Sequence, residues 1–206
     1  MSDVTVTRRR EATRQKLLDA AAQVFAEVGV DAASVEVICE RAGFSRGAFY
    51  SNFETKDELM LALTERVAEQ KIDLVTARIA ELSETGEQFT PADIVQRVLD
   101  VAIDEKMGIL LTSEIRTRAM RDAALATAYL AWQAGLVERV AGVIAELSAR
   151  YGLTLRLPER DFAQLILQQW EDTAAYAVMA GLDFTAMCAL VNERTANLAT
   201  ALVEPA

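Results

Sequence analysis

Apolar residues recur every three or four positions along most of the chain, which is the spacing of amphipathic α-helices. The first stripe predicts a helix over about residues 13–28, followed by Gly29 as a stop signal. Its apolar face carries Leu17, Ala21, Val24, Phe25 and Val28. We therefore expect a long first helix with one buried side.

Two short helices joined by a turn are predicted next. Ser34 is placed to cap the first of them, whose apolar stripe consists of Val35, Ile38, Cys39 and Ala42. After a turn at Gly43, Ser45 is placed to cap the second, which begins at Arg46. Phe44 before that cap and Phe49 in the helix have the spacing of a hydrophobic staple. This arrangement predicts a helix-turn-helix braced by the first helix.

The second short helix has two unlike faces. Phe49 and Phe53, four residues apart, share the apolar face, whereas Gly47, Tyr50 and Ser51 point the other way. Arg46 lies at the edge of that outer face, whose groups suit phosphates and base edges. The stretch is also compatible with an ordinary amphipathic helix in an α-hairpin.

A T-x-x-E capping box, Thr55 to Glu58, opens the next helix, which continues to about Leu82. It places Lys56 in the first turn beside free helix-start amides, an arrangement that suits one phosphate. A solvated lysine is the alternative for this position.

The remaining sequence predicts further helices and little else. Thr90 with Pro91 restarts a helix whose inward stripe is Ile94, Val98, Val101 and Ala102, and Gly108 is expected to separate it from Ile109, Leu110 and Leu111. After the charged segment 114–122, long helices are expected over about 122–150, 159–180 and 183–203, with a loop at 151–158. The fold class is all-α with about nine helices: an N-terminal arm and helix-turn-helix domain, residues 1–55, and a larger helical domain, residues 56–206.

The charge distribution bears on the choice of partner. The net charge of −10 argues against nucleic acid when the whole chain is considered. Residues 1–56, however, hold eight basic and eight acidic residues, so the acidic excess lies entirely beyond them. A group of cations at the N-terminus could follow a phosphate backbone or form a solvated tail: Arg8, Arg9, Arg10, Arg14 and Lys16.

Several classes of chemistry lose support from composition. The chain has no histidine, the commonest metal ligand and general base near neutral pH, so we expect no metal, cofactor or catalytic site. Cys39 and Cys188 are expected to be buried free thiols and not a disulfide. With 52% apolar residues but no membrane-length apolar run and no signal peptide, the chain is expected to be soluble and cytoplasmic.

The stretch Thr13–Leu63 resembles the N-terminal domain of the TetR family of bacterial transcriptional repressors. The resemblance is carried by the end of the first helix, the A-G-F-S turn, the G-A-F-Y-S-N-F helix and the K-D-E-L that opens the following helix. It implies an all-helical homodimer that binds double-stranded DNA at a palindromic operator and a small-molecule effector in its divergent C-terminal domain. A weaker resemblance to the family's R-D-P-E-L-R stretch lies in MRDAALATAY.

The resemblance also assigns roles to particular positions. By position, the DNA contacts fall on Ser34, Val35, Ser45, Arg46, Gly47, Tyr50, Ser51, Asn52 and Lys56. Val35 departs from the family's chemistry, because its side chain can pack on a sugar or methyl group but cannot donate a hydrogen bond.

Candidates for the effector site and the dimer interface come from the C-terminal part. Aromatic and methionine side chains there suit either an apolar cavity or a core, and the candidates for a cavity are Met107, Leu111, Tyr129, Trp132 and Trp170. Two long terminal helices suit either an internal core or a four-helix bundle with a second copy, for which the candidates are Phe162, Leu165, Gln169, Leu190 and Arg194.

The leading hypothesis is a homodimeric repressor that a small, largely apolar ligand releases from its operator. The alternative is a helical enzyme or ligand carrier that has kept the fold without binding an operator.

Overall fold

The computed structural model describes residues 2–84, 97 and 106–204. These ranges contain the helices α1 (Ser2–Val28), α2 (Val35–Ala42), α3 (Arg46–Tyr50), α4 (Lys56–Glu84), α5 (Lys106–Ala119), α6 (Ala123–Tyr151), α7 (Glu159–Met179) and α8 (Phe184–Ala201). Within them the only β pairing is the isolated bridge between Leu155 and Val203. The predicted all-α class is confirmed, and the helix boundaries from α2 onward fall within a few residues of most predictions.

Helix α1 begins much earlier than predicted, at Ser2 instead of about Thr13. The Thr13 hydroxyl donates to the Arg9 carbonyl at 3.0 Å, and Gln15 donates to Glu11 at 2.8 Å. These groups therefore bond within the helix, one turn back, and do not cap its start.

The prediction that Gly108 separates two elements is wrong, because Gly108 lies inside α5. A glycine in a helix costs only about 1 kcal/mol relative to alanine, which burial of the neighbouring Ile109 can offset. The helix predicted to restart at Thr90 and Pro91, with its stripe of Ile94, Val98, Val101 and Ala102, lies outside the described residues.

The chain divides into two compact units, called here the first unit (Met1–Arg66 and Leu111–Tyr129) and the second unit (Val67–Leu110 and Leu130–Ala206). The predicted domain boundary between residues 55 and 56 stays a prediction. Among the described residues, the largest fully buried side chains belong to the first unit: Leu17, Leu18, Phe25, Ile38, Phe49, Phe53, Leu59, Met60, Leu63, Leu111 and Ile115.

In the second unit, α7 and α8 form an antiparallel pair across a tight turn at Gly181, whose φ of 69° suits glycine. Asp183 caps α8 by accepting from the Ala186 amide at 2.8 Å. One end of the pair packs Phe162 against Ala199 and Val203, and the other packs Ala174 and Ala177 against Met187 and Val191.

Two further expectations concern the cysteines and membrane-spanning helices. Cys39 and Cys188 are free thiols, as predicted, but only Cys39 is buried and Cys188 is half-buried. In the part of the chain that the structure describes, no helix has the length and apolar character needed to cross a bilayer.

Candidate DNA interface

Helix α2 is capped at both ends by local hydrogen bonds. The Ser34 hydroxyl accepts from the Val37 amide at 3.2 Å, which confirms the predicted N-cap. At the other end Gly43 has φ 72°, and the Phe44 amide donates to the Cys39 carbonyl at 2.9 Å. This αL glycine closure fixes the turn between α2 and α3.

Helix α3 is short, and its two faces differ as predicted. Ser45 caps it by accepting from the Ala48 amide at 3.3 Å. Phe49 is 0% and Phe53 1% exposed, with their ring centres 5.8 Å apart, whereas Tyr50 is 50% exposed. The two phenylalanines anchor α3 to the core and leave its other face open.

Arg46 is the exposed cation of that open face, and it is already oriented. Its guanidinium lies 2.8 Å from the Glu36 carboxylate of α2 and 5.8 Å from the centre of the Tyr50 ring. The pKa of Glu36 is lowered, first by a hydrogen bond from its own backbone amide and next by the charge of Arg46. Glu36 was not singled out from the sequence. A carboxylate in the first turn of α2 could have been considered as a partner for the exposed Arg46 at the start of α3.

The fold of this chain does not require glycine at position 47. A Cβ atom built there would lie 3.6 Å from the Ser45 hydroxyl oxygen, which is an ordinary van der Waals distance. The next turn is covered by Ser51, whose hydroxyl donates to the Gly47 carbonyl at 2.8 Å. The open face of α3 therefore carries no side chain at position 47.

Lys56 was expected to be free to bind a phosphate, but its ammonium group already has partners within the chain. Its ammonium donates to the carbonyl oxygens of Val30 at 2.8 Å and Ala33 at 3.0 Å. The ammonium has three protons, so one is left for a phosphate in this geometry. The phosphate contact of Lys56 stays a prediction.

The other predicted contacts divide by exposure. Ser34, Ser45 and Ser51 are exposed, Val35 is half-buried and Asn52 is buried. The Asn52 side-chain amide donates to the Ala48 carbonyl at 2.8 Å, so this residue also serves the end of α3.

Arg14 of the N-terminal basic group serves the end of α3 as well. Its guanidinium lies 4.4 Å from the centre of the Phe53 ring and donates to the Asn52 carbonyl at 3.4 Å. Arg8, Arg9, Arg10 and Lys16 are exposed.

The candidates for the effector site fall in different units. Leu111 and Tyr129 are buried in the first unit, whereas Trp132 and Trp170 are half-buried in the second, where the Lys71 ammonium lies 4.6 Å from the Trp170 ring centre. The Met107 side chain lies outside the described residues. A separate surface cleft of about 260 Å³ in the second unit is lined by Leu130, Gln133, Ala134, Leu136, Val137, Arg160, Gln164, Leu167, Gln168 and Glu171.

The candidates for the dimer interface also differ in exposure. Leu165 and Arg194 are exposed and Gln169 and Leu190 half-buried, but Phe162 is only 5% exposed because it packs in the chain's own core. Four exposed apolar side chains near the α7–α8 turn were not among these interface candidates: Tyr176, Met179, Leu182 and Phe184.

Comparisons with known proteins agree on one family. The model of the family described as "Bacterial regulatory proteins, tetR family" matches residues 17–63. An uncharacterised HTH-type transcriptional regulator from Mycobacterium tuberculosis is 38% identical over 78 residues, which are 38% of this chain and 40% of that protein. The HTH-type transcriptional activator FasR from Mycolicibacterium smegmatis is 30% identical over 105 residues, covering 51% of this chain and 47% of that protein.

Structural similarity extends over nearly the whole chain. A crystal structure of a TetR-family transcriptional regulator from Mesorhizobium loti has a TM-score of 0.70 at 21% identity, covering 94% of this chain and 96% of the other. That likeness shows a shared fold, while the chain spans less than half the length of the curated relatives above. The match over residues 17–63 shows that this chain carries the N-terminal domain of the tetR family of bacterial regulatory proteins.

Proposed function

We propose that this chain is a homodimeric transcriptional repressor that binds a palindromic operator through α3 and releases it when a small, largely apolar ligand binds. One observation carries the proposal. Phe49 of α3 and Phe53 just after it are buried completely, while α3 exposes Arg46, Gly47 and Tyr50 on one face. A helix held this way presents donors, a cation and close backbone to a major groove.

Glycine at position 47 supports close approach to DNA. Among the described residues, leaving aside the chain neighbours and the backbone of α3 itself, the nearest atom to a Cβ at that position is the Ser45 hydroxyl oxygen at 3.6 Å, so packing within these residues does not require glycine. A phosphate or base edge against the α3 backbone would supply a reason for glycine, because a side chain there would hold the two apart.

The variant Gly47→Ala separates these roles, since its effects on stability and on DNA binding should have opposite signs. Alanine favours the helix, so the free energy of unfolding should stay equal or rise by up to about 0.5–1 kcal/mol. Operator affinity should fall by roughly tenfold, because the methyl group intrudes on the DNA. Unfolding followed by circular dichroism and a gel-shift titration measure the two effects, and unchanged operator affinity would remove the close-approach argument.

The exposed apolar side chains near the α7–α8 turn support the proposed homodimer. Met179 is 80%, Phe184 55% and Tyr176 50% exposed, and Leu165 on α7 is 38% exposed. Residues of this kind are enriched where proteins associate. Packing α7 and α8 against the same pair of a second copy would cover them in a four-helix bundle.

The double variant Met179→Lys with Phe184→Lys should therefore weaken self-association. We expect the dimer dissociation constant to rise by about tenfold or more, because two ammonium groups would be buried at the interface. Sedimentation velocity across a concentration series measures it. The matched control is Leu74→Lys, since Leu74 is a 55% exposed apolar residue of the second unit on α4. An equal shift in the control would contradict this assignment.

The second unit is the proposed site of the effector. It holds both tryptophans, and Trp170 is already paired with a cation, Lys71. Quenching of tryptophan fluorescence during a screen of small apolar compounds would report binding. A compound that quenches the fluorescence and lowers operator affinity would support ligand-controlled release.

The proposal is tested by selecting sequences from a random duplex library with the purified chain. Enrichment of one palindrome with half-sites about one helical turn apart is the expected result. A reporter placed behind that palindrome then separates repression from activation, the activity named for the FasR relative. Turnover of a bound compound with no enriched sequence would instead support the enzyme or carrier alternative. A role on bacterial DNA also places the proposed site of action in the cytoplasm.

A further inference from the structure

One arginine near the end of α5, Arg118, contacts three carboxylates at once. Its Nη2 lies 2.7 Å from Asp31, its Nη1 3.2 Å from Asp57 and its Nε 2.6 Å from Glu114. All four residues belong to the first unit. Glu114 lies on α5 itself, whereas Asp31 belongs to the loop between α1 and α2 and Asp57 to the first turn of α4. A planar guanidinium with five N–H donors can bridge three separate segments in this way.

A second cation, Lys56, also holds the α1–α2 loop, by binding its backbone. Lys56 of α4 donates to the carbonyl oxygens of Val30 and Ala33, on either side of Asp31. Arg118 and Lys56 therefore fix the loop through its side chain and its backbone respectively. Asp57, next to Lys56 in sequence, joins the two sets of contacts by binding Arg118.

This loop leads directly into the DNA-facing helices. Ser34, the N-cap of α2, follows Ala33, and α2 contributes Glu36, which is paired with Arg46 of α3. A change in the loop would therefore move the start of α2 and the groups that orient Arg46.

We propose that Arg118 is a positioning residue for DNA binding, which holds the α1–α2 loop against the start of α4 and thereby presets α2 and α3. Arg118 acts without touching DNA, through Asp31 and Asp57. The inference rests on the proposed DNA-binding function for its consequence, but the clamp on the loop can be measured in the free protein.

The test compares Arg118→Met and Asp31→Asn with a matched control, Glu114→Gln. Glu114 binds the same guanidinium but connects α5 only to itself. Amide hydrogen exchange is measured on the full-length protein without DNA, and affinity for the selected palindrome is measured over a series of salt concentrations.

The two clamp variants should raise the exchange rates of amides in residues 30–36 while the buried part of α1, around Val24 and Phe25, keeps its protection. They should also raise the operator dissociation constant by roughly three- to tenfold, as expected for loss of partly exposed ion pairs. The slope of log affinity against log salt should not change, because no phosphate contact is lost. Glu114→Gln should behave like the unaltered protein in each measurement.

Three results would overturn the inference. A salt slope lowered by about one in Arg118→Met would make Arg118 a phosphate contact. Equal effects in Glu114→Gln and Asp31→Asn would mean that only the stability of α5 matters. Unchanged exchange in residues 30–36 would mean that no clamp exists. If the unaltered protein selects no DNA sequence, the proposed function fails, while the exchange data still decide whether Arg118 holds the loop.

Discussion

Replacing Phe49 by alanine is expected to lower the free energy of unfolding by about 3–5 kcal/mol, the range for a large aromatic side chain removed from a packed core. Phe49 is 0% exposed, and its ring packs against Phe53, whose centre is 5.8 Å away. The loss would fall on the first unit, to which both rings belong. Chemical denaturation followed by far-ultraviolet circular dichroism is the suitable measurement, because both tryptophans lie in the second unit.

The neighbouring residue provides the control for that prediction. Tyr50→Ala also removes an aromatic ring, but Tyr50 is 50% exposed and points to the open face of α3. We expect its stability to stay within about 0.5–1 kcal/mol of the unaltered protein while operator affinity falls. Comparable destabilisation by both variants would show that the two faces of α3 have been misassigned.

Replacing Arg46 by alanine is expected to weaken operator binding by about 1–3 kcal/mol for each copy of α3 that enters the DNA. The Arg46 side chain is 60% exposed and its guanidinium is held at the start of α3 by Glu36, so it reaches the DNA with little further ordering. The stability of the free protein should hardly change, because exposed ion pairs contribute at most about 1 kcal/mol. A gel-shift titration with the selected palindrome, beside a denaturation curve, measures both quantities.

Arg41→Ala is the matched control for Arg46→Ala. Arg41 is also an exposed arginine of the first unit, but both of its terminal nitrogens bind Glu27, at 2.7 and 2.6 Å. It should leave operator affinity nearly unchanged. If Arg41→Ala weakens binding as much as Arg46→Ala, the effect of Arg46 reflects net charge and not its place on α3.

The parts of the interface that depend on neighbours in sequence could be predicted. Ser34 and Ser45 are caps because their hydroxyls reach amides three residues on, and Phe49 and Phe53 share a face because they are one helical turn apart. These local rules suffice to place Tyr50 and Arg46 on the open face. They do not decide where α1 begins, because the stripe of apolar residues starts at Leu17 whereas the helix extends back to Ser2.

Contacts between distant segments could not be predicted in the same way. Arg118 is 87 residues from Asp31 and 61 from Asp57, so no periodicity connects them. Similarly, the first-turn position of Lys56 on α4 was foreseen, but its bonds to Val30 and Ala33 depend on where the α1–α2 loop lies in space. Which groups a charged side chain pairs with therefore depends on the segments that the complete fold brings next to it.

The most direct test of the central claim is a fluorescence anisotropy titration with two labelled duplexes, one holding the selected palindrome and one with a half-site scrambled. We expect two subunits bound per palindrome, an affinity that falls steeply with salt, and binding roughly a thousandfold tighter than to unrelated sequence. The half-scrambled duplex should bind much more weakly, because only one copy of α3 finds its bases. Equal affinity for both duplexes would contradict palindromic recognition by a homodimer.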